Sequence, residues 1–449
     1  MPASGGVFIA HPGTQHSYQA ALALQERGLL RRYLTGTLYN RGGKGTVGML
    51  MRVLPSRLRS KIERQVRRRR LEGLNESLIS SMDMIEIVHS VADRAGLPPA
   101  VGFRFYQFRQ QRFQRHAARM VERLKPSVVV CYDTAALEVF EAARRVGAIC
   151  VLDQSIGHVT QLIRQFEAAG LEHRQSAEFV ADSLSEIRAA DVIVTSSQYV
   201  VDGLKDAGIR EERVIAIPYG VDLTTFTPRA DRGGKKQVEA LYVGHISRRK
   251  GVSYVVDGFS RAALPQLQLT LLGKRVDDVS IESKGSARLK HVAAVPHQEV
   301  AEYYRRSDFF VQMSLHESAA MTVFEALASG LPVITTPNSG SVVRDGIEGF
   351  LIAPRDEDAL AERMRTLTED VALREQMSRH ARRRAEQFSW ERYRERFGSL
   401  MQDLARVGKN GALEAFAMHR ERMAAVLGTE SHGRTLSHVG AAAGNGHEE

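Results

Sequence analysis

Several features that mark other classes of protein are scarce or missing in this 449-residue sequence. It has only two cysteines, Cys131 and Cys150. Because both lie in apolar runs, we expect buried thiols rather than a disulfide or a metal site. No apolar run reaches the roughly 18 residues that a membrane span needs, and the N-terminus lacks the basic flank and long apolar core of a signal peptide. The sequence therefore predicts a cytoplasmic protein.

The composition is that of a folded protein with a surplus of basic residues. Hydrophobic residues make up 43% of the chain and charged residues 25%, which are ordinary values for a globular protein. A chain of this length is too long for one hydrophobic core, so we expect two domains with an appendage. The formal net charge of +10 favours an anionic partner, which leaves phosphate, a lipid headgroup and nucleic acid open.

Short apolar runs alternate with amphipathic helical stretches along most of the chain. A first set lies at 7–11, 84–90, 127–133, 148–153, 191–197 and 213–220. After a charged joint at 227–237, a second set lies at 238–244, 267–273, 307–313, 331–336 and 348–354. Two such sets predict an α/β protein with two doubly wound, Rossmann-like parallel sheets and a ligand cleft between them. Residues 388–407 are typical of a helix, and the small, polar residues 430–449 are typical of disorder.

The segment "HESAAMTVFEALASGLPV" (316–333) contains two glutamates, Glu317 and Glu325, eight positions apart. Ser318 is the expected N-cap of a helix that ends at Gly330. Positions eight apart on a helix lie within about 80° of each other, so both carboxylates can face one cleft. A surface helix with two solvated glutamates is the alternative that this segment alone leaves open.

Two strand-to-helix turns have the composition of ligand sites. In "LYVGHISRRKG" (241–251), the turn amides, the positive end of the next helix and Lys250 with Arg248 or Arg249 would suit a diphosphate. A solvated basic turn is the alternative. In "HPGTQHS" (11–17), Gly13 allows close approach of the backbone to a ligand.

In combination, these motifs resemble those of the retaining nucleotide-sugar glycosyltransferases of family four, which have the GT-B fold. The segment 316–333 is similar to the E-x7-E motif of that family, and "YVGHISRRKG" to its turn with a glycine, basic residues and Lys-Gly. The segment "VIAIPYGVDLTTFTP" (214–228) resembles the one that leads out of the first domain, and "FSWERY" (388–393) the start of the closing helix.

The resemblance implies an order of parts along the chain. Residues 1–222 would form an N-terminal domain on the acceptor side, and residues 223–390 a C-terminal domain that binds the nucleotide sugar. Residues 391–410 would be a closing helix that packs back on the N-terminal domain. Residues 411–449 would be a tail that is partly disordered.

The resemblance also implies roles on the donor side. Glu325 corresponds to the glutamate that accepts hydrogen bonds from the ribose hydroxyls of the nucleotide, a charge-assisted contact. Glu317 corresponds to the catalytic glutamate that faces the donor sugar. Backbone amides at the helix start would contact sugar hydroxyls and phosphate, and these are the amides of Ala320, Met321 and Thr322.

On the phosphate side, Lys250 matches the lysine that neutralises the departing diphosphate. His245 stands where the family usually has arginine, so His245, Arg248 or Arg249 would supply the second cation. The implied reaction is sugar transfer with retention at the anomeric carbon, and positioning, cations and helix amides would lower its barrier. No metal and no cofactor are expected, because these groups would stabilise the leaving group themselves.

In the first domain, the family places a histidine after a central strand, near the reacting sugar. His158 in "LDQSIGH" (152–158) is the candidate for that catalytic role, with Asp153 as its partner, and a purely structural histidine is the alternative. The segments 271–278 and 293–299 correspond to those that contact the nucleotide base through their backbones, so the base and the sugar stay unassigned.

Two arginine-rich helical stripes lie in the predicted first domain, which binds the acceptor in GT-B enzymes. One is in the segment 56–70, and the other is in the segment 103–120. Attachment to an anionic membrane, recognition of an acidic or lipid-diphosphate acceptor, and a solvated helix face all stay open. The basic positions are Arg57, Lys61, Arg64 and Arg68 in the first stripe and Arg109, Arg112, Arg115 and Arg119 in the second.

The sequence thus predicts a metal-independent, retaining glycosyltransferase, cytoplasmic or peripheral on the cytoplasmic face of the membrane. It would move a sugar from a nucleoside-diphosphate sugar to a glycan or lipid-linked acceptor, in the synthesis of cell-surface polysaccharide or glycolipid. A sugar-nucleotide epimerase of the same fold is the first alternative. A nucleic-acid-binding protein is the second, suggested by arginines among aromatic residues at 103–120. It leaves Glu317 and Glu325 unexplained, so no nucleic-acid partner is expected.

Overall fold

The computed structural model describes residues 5–13, 16–36, 73–82, 99–173, 175–230, 237–282 and 288–428. Three predictions fall outside these residues: the apolar run at 84–90, the basic segment 56–70 and the tail at 430–449. Among the described helices, none combines the length and the hydrophobicity needed to cross a lipid bilayer.

The first sheet consists of seven strands, and all neighbouring strands pair in parallel. They are β1 (Val7–His11), β2 (Leu30–Thr35), β3 (Ile79–Ser81), β4 (Val128–Tyr132), β5 (Ile149–Gln154), β6 (Val192–Thr195) and β7 (Val214–Ala216). The order β3-β2-β1-β4-β5-β6-β7 reverses between β1 and β4. In sheets of this kind, ligands bind outside the carboxyl ends of the strands at such a switch point.

Helices cover both faces of this sheet, so its strands are buried on two sides and consist largely of apolar residues. They are α1 (Ser17–Glu26), α2 (Pro99–Leu124), α3 (Leu137–Arg145), α4 (Val159–Glu167), α5 (Ala177–Ala189) and α6 (Gln198–Asp206). Helix α2 contains the second arginine stripe. It buries Phe113 and Ala117, whereas Arg112 and Arg119 are exposed and Arg115 lies 3.7 Å from a carboxylate oxygen of Glu138.

The second sheet consists of six parallel strands. They are β8 (Val238–Val243), β9 (Leu267–Leu272), β10 (Leu289–Val292), β11 (Phe309–Gln312), β12 (Val333–Thr335) and β13 (Gly349–Leu351). Its helices are α7 (Val252–Ala262), α8 (His297–Arg306), α9 (Met321–Ala328), α10 (Glu357–Glu369) and α11 (Val371–Glu386). The order β10-β9-β8-β11-β12-β13 places the switch point between β8 and β11. Two doubly wound parallel sheets confirm the predicted α/β fold.

A long final helix, α12 (Trp390–Leu427), returns from the second sheet to the first. The Ser389 side chain caps it by accepting a hydrogen bond from the Arg392 amide. The prediction ended the closing helix at residue 410, but the helical residues continue to Leu427 after a kink at Gly408, whose φ is 66°. The extension forms because Phe416 and further apolar side chains join the core of the first sheet.

Candidate active site

Three charged side chains meet at the switch point of the second sheet. Arg249 and Lys250 lie in the turn after β8, and Glu317 lies in the loop after β11. Arg249 Nη1 lies 2.8 Å from Glu317 Oε1, and Lys250 Nζ forms an ion pair with the same oxygen. The side chains of Lys250 and Glu317 are only 12% and 9% exposed. Burial, together with the charge of Arg249, lowers the pKa of Lys250 against the attraction of Glu317.

The backbone explains why these loops meet. Gly251 has a φ of 66°, and a Cβ atom at this position would collide with the Met313 carbonyl. Leu315 donates its amide proton to the Arg249 carbonyl at 2.9 Å, and Arg249 Nη1 donates to the His316 carbonyl at 2.9 Å. The turn after β8 is therefore fixed against the loop that contains Glu317.

Glu325 lies in the second turn of α9 and is held by a tyrosine rather than by a cation. The Tyr304 hydroxyl donates to Glu325 Oε2 at 2.9 Å, and it also lies 3.1 Å from the Thr322 carbonyl. Burial raises the pKa of Glu325 to about 7, although the hydrogen bond from Tyr304 and the charge of Lys250 act in the opposite direction. Tyr304 was missed in the sequence, because no local pattern marks a tyrosine on another helix as a partner.

Two details of the helix start differ from the prediction. Ser318 is not the N-cap, because α9 begins at Met321 with Ala320 in the cap position, and the Ser318 hydroxyl instead donates to the Ser155 carbonyl of the first sheet unit. The Ala320 amide donates to the Ser339 carbonyl at 2.9 Å, so it is not available for a ligand. The amides of Met321 and Thr322 are the first two of the helix, and such amides have no intrahelical partner.

The loop that contains Glu317 also contacts the first sheet unit through the residue before it. The Tyr199 hydroxyl lies 2.9 Å from His316 Nδ1, and burial together with the charge of Arg249 lowers the pKa of His316 to about 4. Gly157 lies so close to the His316 ring that a Cβ atom there would collide with it. The switch-point loop is thus positioned from both sheets.

His158 lies next to this contact and is fully buried at the start of α4. Its Nδ1 atom lies 2.7 Å from the Thr160 hydroxyl, and its Nε2 atom has no hydrogen-bond partner among the described residues. Burial, assisted by Arg164, lowers the pKa of His158 to about 4. The predicted pairing with Asp153 is wrong, because Asp153 Oδ2 lies 3.2 Å from His16 Nε2 instead.

A buried polar cluster that was not predicted from the sequence lies at the switch point of the first sheet. His11 Nδ1 lies 3.1 Å from the Ser17 hydroxyl, which in turn lies 2.7 Å from the Tyr33 hydroxyl. Burial, with the charges of His16 and Arg109, lowers the pKa of His11 to about 3. The two histidines in "HPGTQHS" were the available signal, but their partners come from distant strands.

The other predicted residues lie around these two groups. Gly13 is in the loop after β1, and its carbonyl accepts a hydrogen bond from the Thr35 hydroxyl at 2.9 Å. His245 is exposed at the end of β8, and its carbonyl accepts a hydrogen bond from Tyr242 at 2.7 Å. Arg248 is exposed, and its amide donates to Asp277 at 2.9 Å. Of the three candidates for the second cation, the structure brings Arg249 to Glu317 and Lys250.

Possible metal ligands are sparse in the described part of the chain, where no three histidine, cysteine or acidic side chains cluster in a suitable arrangement. The chain does contain one Asp-x-Asp sequence, Asp356 to Asp358. Asp356 caps α10, because its Oδ1 atom accepts a hydrogen bond from the Ala359 amide at 2.8 Å. Asp358 Oδ1 lies 2.8 Å from Arg261 Nη1. Both aspartates therefore have structural contacts at a helix start.

Comparison with known proteins finds a family model that matches the second sheet unit. Residues 227–384 match the family model described as Glycosyl transferases group 1. We refer to these residues as the group 1 domain. The domain contains Lys250, Glu317 and Glu325, as well as all strands of the second sheet.

The named relatives match less than half of this chain. The chain is 33% identical to D-inositol 3-phosphate glycosyltransferase of Paenarthrobacter aurescens, over 40% of this chain and 49% of that protein. It is 29% identical to glycogen synthase of Mycobacterium tuberculosis, over 46% of this chain and 52% of that protein. The chain thus spans about half the length of the curated relatives it matches.

Solved structures resemble the chain over both sheets. Sucrose-phosphate synthase from Thermosynechococcus elongatus aligns with a TM-score of 0.64 at 18% identity, over 89% of this chain and 98% of that one. HepE from Anabaena, solved with UDP, aligns with a TM-score of 0.60 at 14% identity, over 89% and 100% of the two chains. The group 1 domain is therefore the second half of a GT-B fold.

Proposed function

We propose that this chain is a retaining glycosyltransferase that moves a sugar from a nucleoside-diphosphate sugar to a glycan or lipid-linked acceptor. Its biological role would be the synthesis of cell-surface polysaccharide or glycolipid. The observation that carries the proposal is the pair of cations, Arg249 and Lys250, on Glu317 at the switch point of the group 1 domain. Glu325, in the second turn of α9, would hold the nucleotide.

The two cations would stabilise the charge that grows on the departing diphosphate. Both are buried or half-buried and are already oriented by Glu317, so little reorganisation is needed when the phosphates arrive. The amides of Met321 and Thr322 at the helix start would add further donors. One such group is typically worth about 3 kcal/mol of transition-state stabilisation. Because Glu317 Oε1 is engaged by both cations, this arrangement favours retention without a strong protein nucleophile.

The nucleotide would be held by Glu325, whose ionised carboxylate can accept hydrogen bonds from two adjacent ribose hydroxyls. HepE from Anabaena has been solved with UDP-glucose, so a UDP-sugar is the first donor to test. A thermal-shift screen of UDP-, GDP-, ADP- and CMP-sugars would identify the donor, because a ligand that binds only the folded chain raises its melting temperature.

Substitution of the two main residues tests the site. Lys250→Ala and Glu325→Ala should each lower kcat/KM for the donor at least tenfold, which requires only about 1.4 kcal/mol, while the melting temperature stays close to that of the unaltered chain. Arg248→Ala is the matched control, because this neighbouring arginine is exposed and should leave turnover nearly unchanged. If all three variants behave alike, the site is assigned wrongly.

The class of reaction needs its own tests. NMR of the product should show the same anomeric configuration as the donor, and activity should survive EDTA, since Lys250 and Arg249 would replace a metal at the diphosphate. An epimerase would instead convert the nucleotide sugar without any acceptor. Activity that is lost in EDTA and restored by manganese, or an epimer formed without an acceptor, would contradict the proposal.

On the acceptor side, the proposal places the first sheet unit at an anionic membrane surface. The support is the basic segment 56–70, known here from its sequence, and the exposed arginines of α2. Each basic residue near an anionic surface contributes about 1 kcal/mol. The chain should pellet with vesicles of anionic lipid, stay in solution with zwitterionic ones, and detach in high salt. Replacing Arg64, Arg67, Arg68 and Arg69 with serine should abolish pelleting and leave donor affinity unchanged.

A further inference from the structure

A second concave site lies where the chain crosses from the second sheet back to the first. Its lining residues include neither Lys250, Glu317 nor Glu325. It is a cavity of about 960 Å³, which is at the upper end of the range of about 300–1,000 Å³ for small-molecule pockets. Its walls come from β7, from the loop after β12, from the end of α11 and from both ends of α12. Residues of both sheets therefore line one cavity, which we name the crossover cavity.

The crossover cavity is strongly basic. Six arginines line it, against two glutamates, Glu386 and Glu395. The excess of positive charge among the lining residues is therefore four. The arginines are Arg344, Arg383, Arg384, Arg392, Arg396 and Arg422.

Only two of these arginines have a carboxylate partner. Arg344 Nε donates to Glu348 Oε1 at 3.1 Å, and Arg392 Nη1 lies 2.9 Å from Glu395 Oε2. Within the described part of the chain, the other four form no ion pair with an acidic side chain. Arg384 is buried and donates to backbone carbonyls near the end of α12, including that of Leu427 at 3.1 Å.

Two of the lining arginines pack their like charges on one buried aromatic ring, which is not itself a lining residue. The guanidinium carbons of Arg384 and Arg396 lie 4.9 and 5.2 Å from the centre of the Phe388 ring. Arg396 Nη1 is shielded from solvent and has no hydrogen-bond acceptor among the described residues. Burial, followed by the charge of Arg392, lowers the pKa of Arg396. The wall of the cavity therefore contains a guanidinium group whose Nη1 donor the described residues leave unsatisfied.

The chemistry of these side chains selects the ligand. Guanidinium groups bind phosphate oxygens through paired N–H donors, and a phosphate group carries about −1.5 to −2 charges at neutral pH. Two phosphate groups therefore carry about −3 to −4 charges. This range matches the excess of four among the lining residues, or of three when Glu348, the partner of Arg344, is counted. A concave site of this volume suits a small molecule better than a flat lipid surface. We infer that the crossover cavity binds a small ligand with two phosphate groups, a diphosphate or a bisphosphate, at a site separate from the proposed donor site.

Binding at this place has a structural consequence. Ile215 and Ile217 belong to the first sheet unit, whereas Arg344 and Arg383 belong to the group 1 domain. A ligand held by these walls links the two units. It stabilises the folded chain as a whole, and its occupancy is coupled to their relative orientation.

Calorimetric titration with inorganic pyrophosphate at constant ionic strength tests the inference. The titration uses full-length Lys250→Ala chain, so that the proposed donor site contributes little. We expect binding of one equivalent, with inorganic phosphate at least tenfold weaker. The double variant Arg392→Gln/Arg396→Gln should weaken pyrophosphate binding at least tenfold. Arg406→Gln is the matched control, because this arginine of α12 does not line the cavity, and binding should be unchanged.

A second double variant keeps the inference testable if Arg392→Gln/Arg396→Gln does not fold. Arg383→Gln/Arg422→Gln changes exposed side chains, and in the chain with Lys250 intact it should reduce two equivalents of bound pyrophosphate to one. Absence of binding to the Lys250→Ala chain, or equal affinity after both pairs of substitutions, would overturn the inference. A single equivalent that is lost with Lys250→Ala but unaffected by the cavity substitutions would overturn it while leaving the proposed donor site intact.

Discussion

At the scale of single residues, Glu325 is the group whose ionisation most directly affects the proposed activity. Burial raises its pKa from 4.5 to about 7, so the folded chain retains a proton there that the unfolded chain has lost. The free energy of unfolding should therefore fall as the pH rises from about 4.5 to about 7. Function requires the opposite state, because only the ionised carboxylate accepts two hydroxyl donors.

Donor affinity should consequently depend on pH with a midpoint near the pKa of Glu325. Below about pH 7, affinity should fall by up to tenfold per pH unit, because a growing fraction of the chain is protonated, and above about pH 8 it should be constant. Calorimetry of donor binding from pH 5.5 to 8.5 measures this profile. Tyr304→Phe should move the midpoint upward, since it removes a hydrogen bond that stabilises the ionised form.

Glu325→Gln is the decisive control for this profile. The amide has nearly the same size but does not titrate, so donor binding should be weaker and independent of pH over the same interval. A pH step that persists in Glu325→Gln would show that another group, on the protein or on the donor, controls binding.

The residues at this scale also show what the sequence could reveal about the site. Lys250, Glu317 and Glu325, whose roles stay predictions, were singled out because each lies in a short motif with its own local signal. Tyr304, Ser155 and the pairing of His16 with Asp153 were not, because the partners are far apart in sequence and only packing brings them together. Serine is a common N-cap residue, yet the Ser318 hydroxyl donates its hydrogen bond to the Ser155 carbonyl of the other sheet unit.

At the scale of secondary-structure elements, the turn between β8 and α7 depends on one glycine. Gly251→Ala places a Cβ atom on a residue with positive φ, which costs about 1–2 kcal/mol, and also against the Met313 carbonyl. We therefore expect a larger loss of unfolding free energy, measured by urea denaturation, and a lower kcat/KM because Lys250 is displaced. Gly208→Ala is the matched control, since Gly208 has a φ of 80° and a Cβ atom there would meet no atom within 4 Å.

This pair of variants separates backbone strain from steric contact. Gly208→Ala should lose only the strain energy and keep full activity. Equal stability losses in the two variants would mean that the turn relaxes around the new methyl group, so that contact between the two switch-point loops does not fix Lys250.

Prediction of the elements succeeded where a strand is a continuous apolar run and failed where it is not. The central strands β1, β4 and β5 are such runs, which the sequence displays directly, and the edge strands β7 and β13 were also predicted. Three strands were missed: β3 and β10 lie at sheet edges, and β2 pairs with β3. Strand β10 (Leu289–Val292) has exposed and half-exposed side chains, so its sequence lacks an apolar run, and pairing with β9 alone defines it.

At the scale of the whole molecule, one long helix packs against both sheet units. Helix α12 begins beside the group 1 domain and fills the core of the first sheet with six large side chains that are almost fully buried. Burying one such side chain contributes about 2 kcal/mol, so the six contribute about 12 kcal/mol. They are Tyr393, Phe397, Leu400, Met401, Leu404 and Phe416.

Removal of this helix should therefore unfold the first sheet unit. The loss of about 12 kcal/mol is comparable to the net stability of a typical domain, about 5–15 kcal/mol. A chain that ends at Ser389 should be insoluble, or bind a dye for exposed apolar surface and lose its cooperative melting transition. A chain that ends at Gly428 keeps α12 and should melt within a few degrees of the full chain. Cooperative melting of the shorter chain near the original temperature would show that the first sheet does not depend on α12.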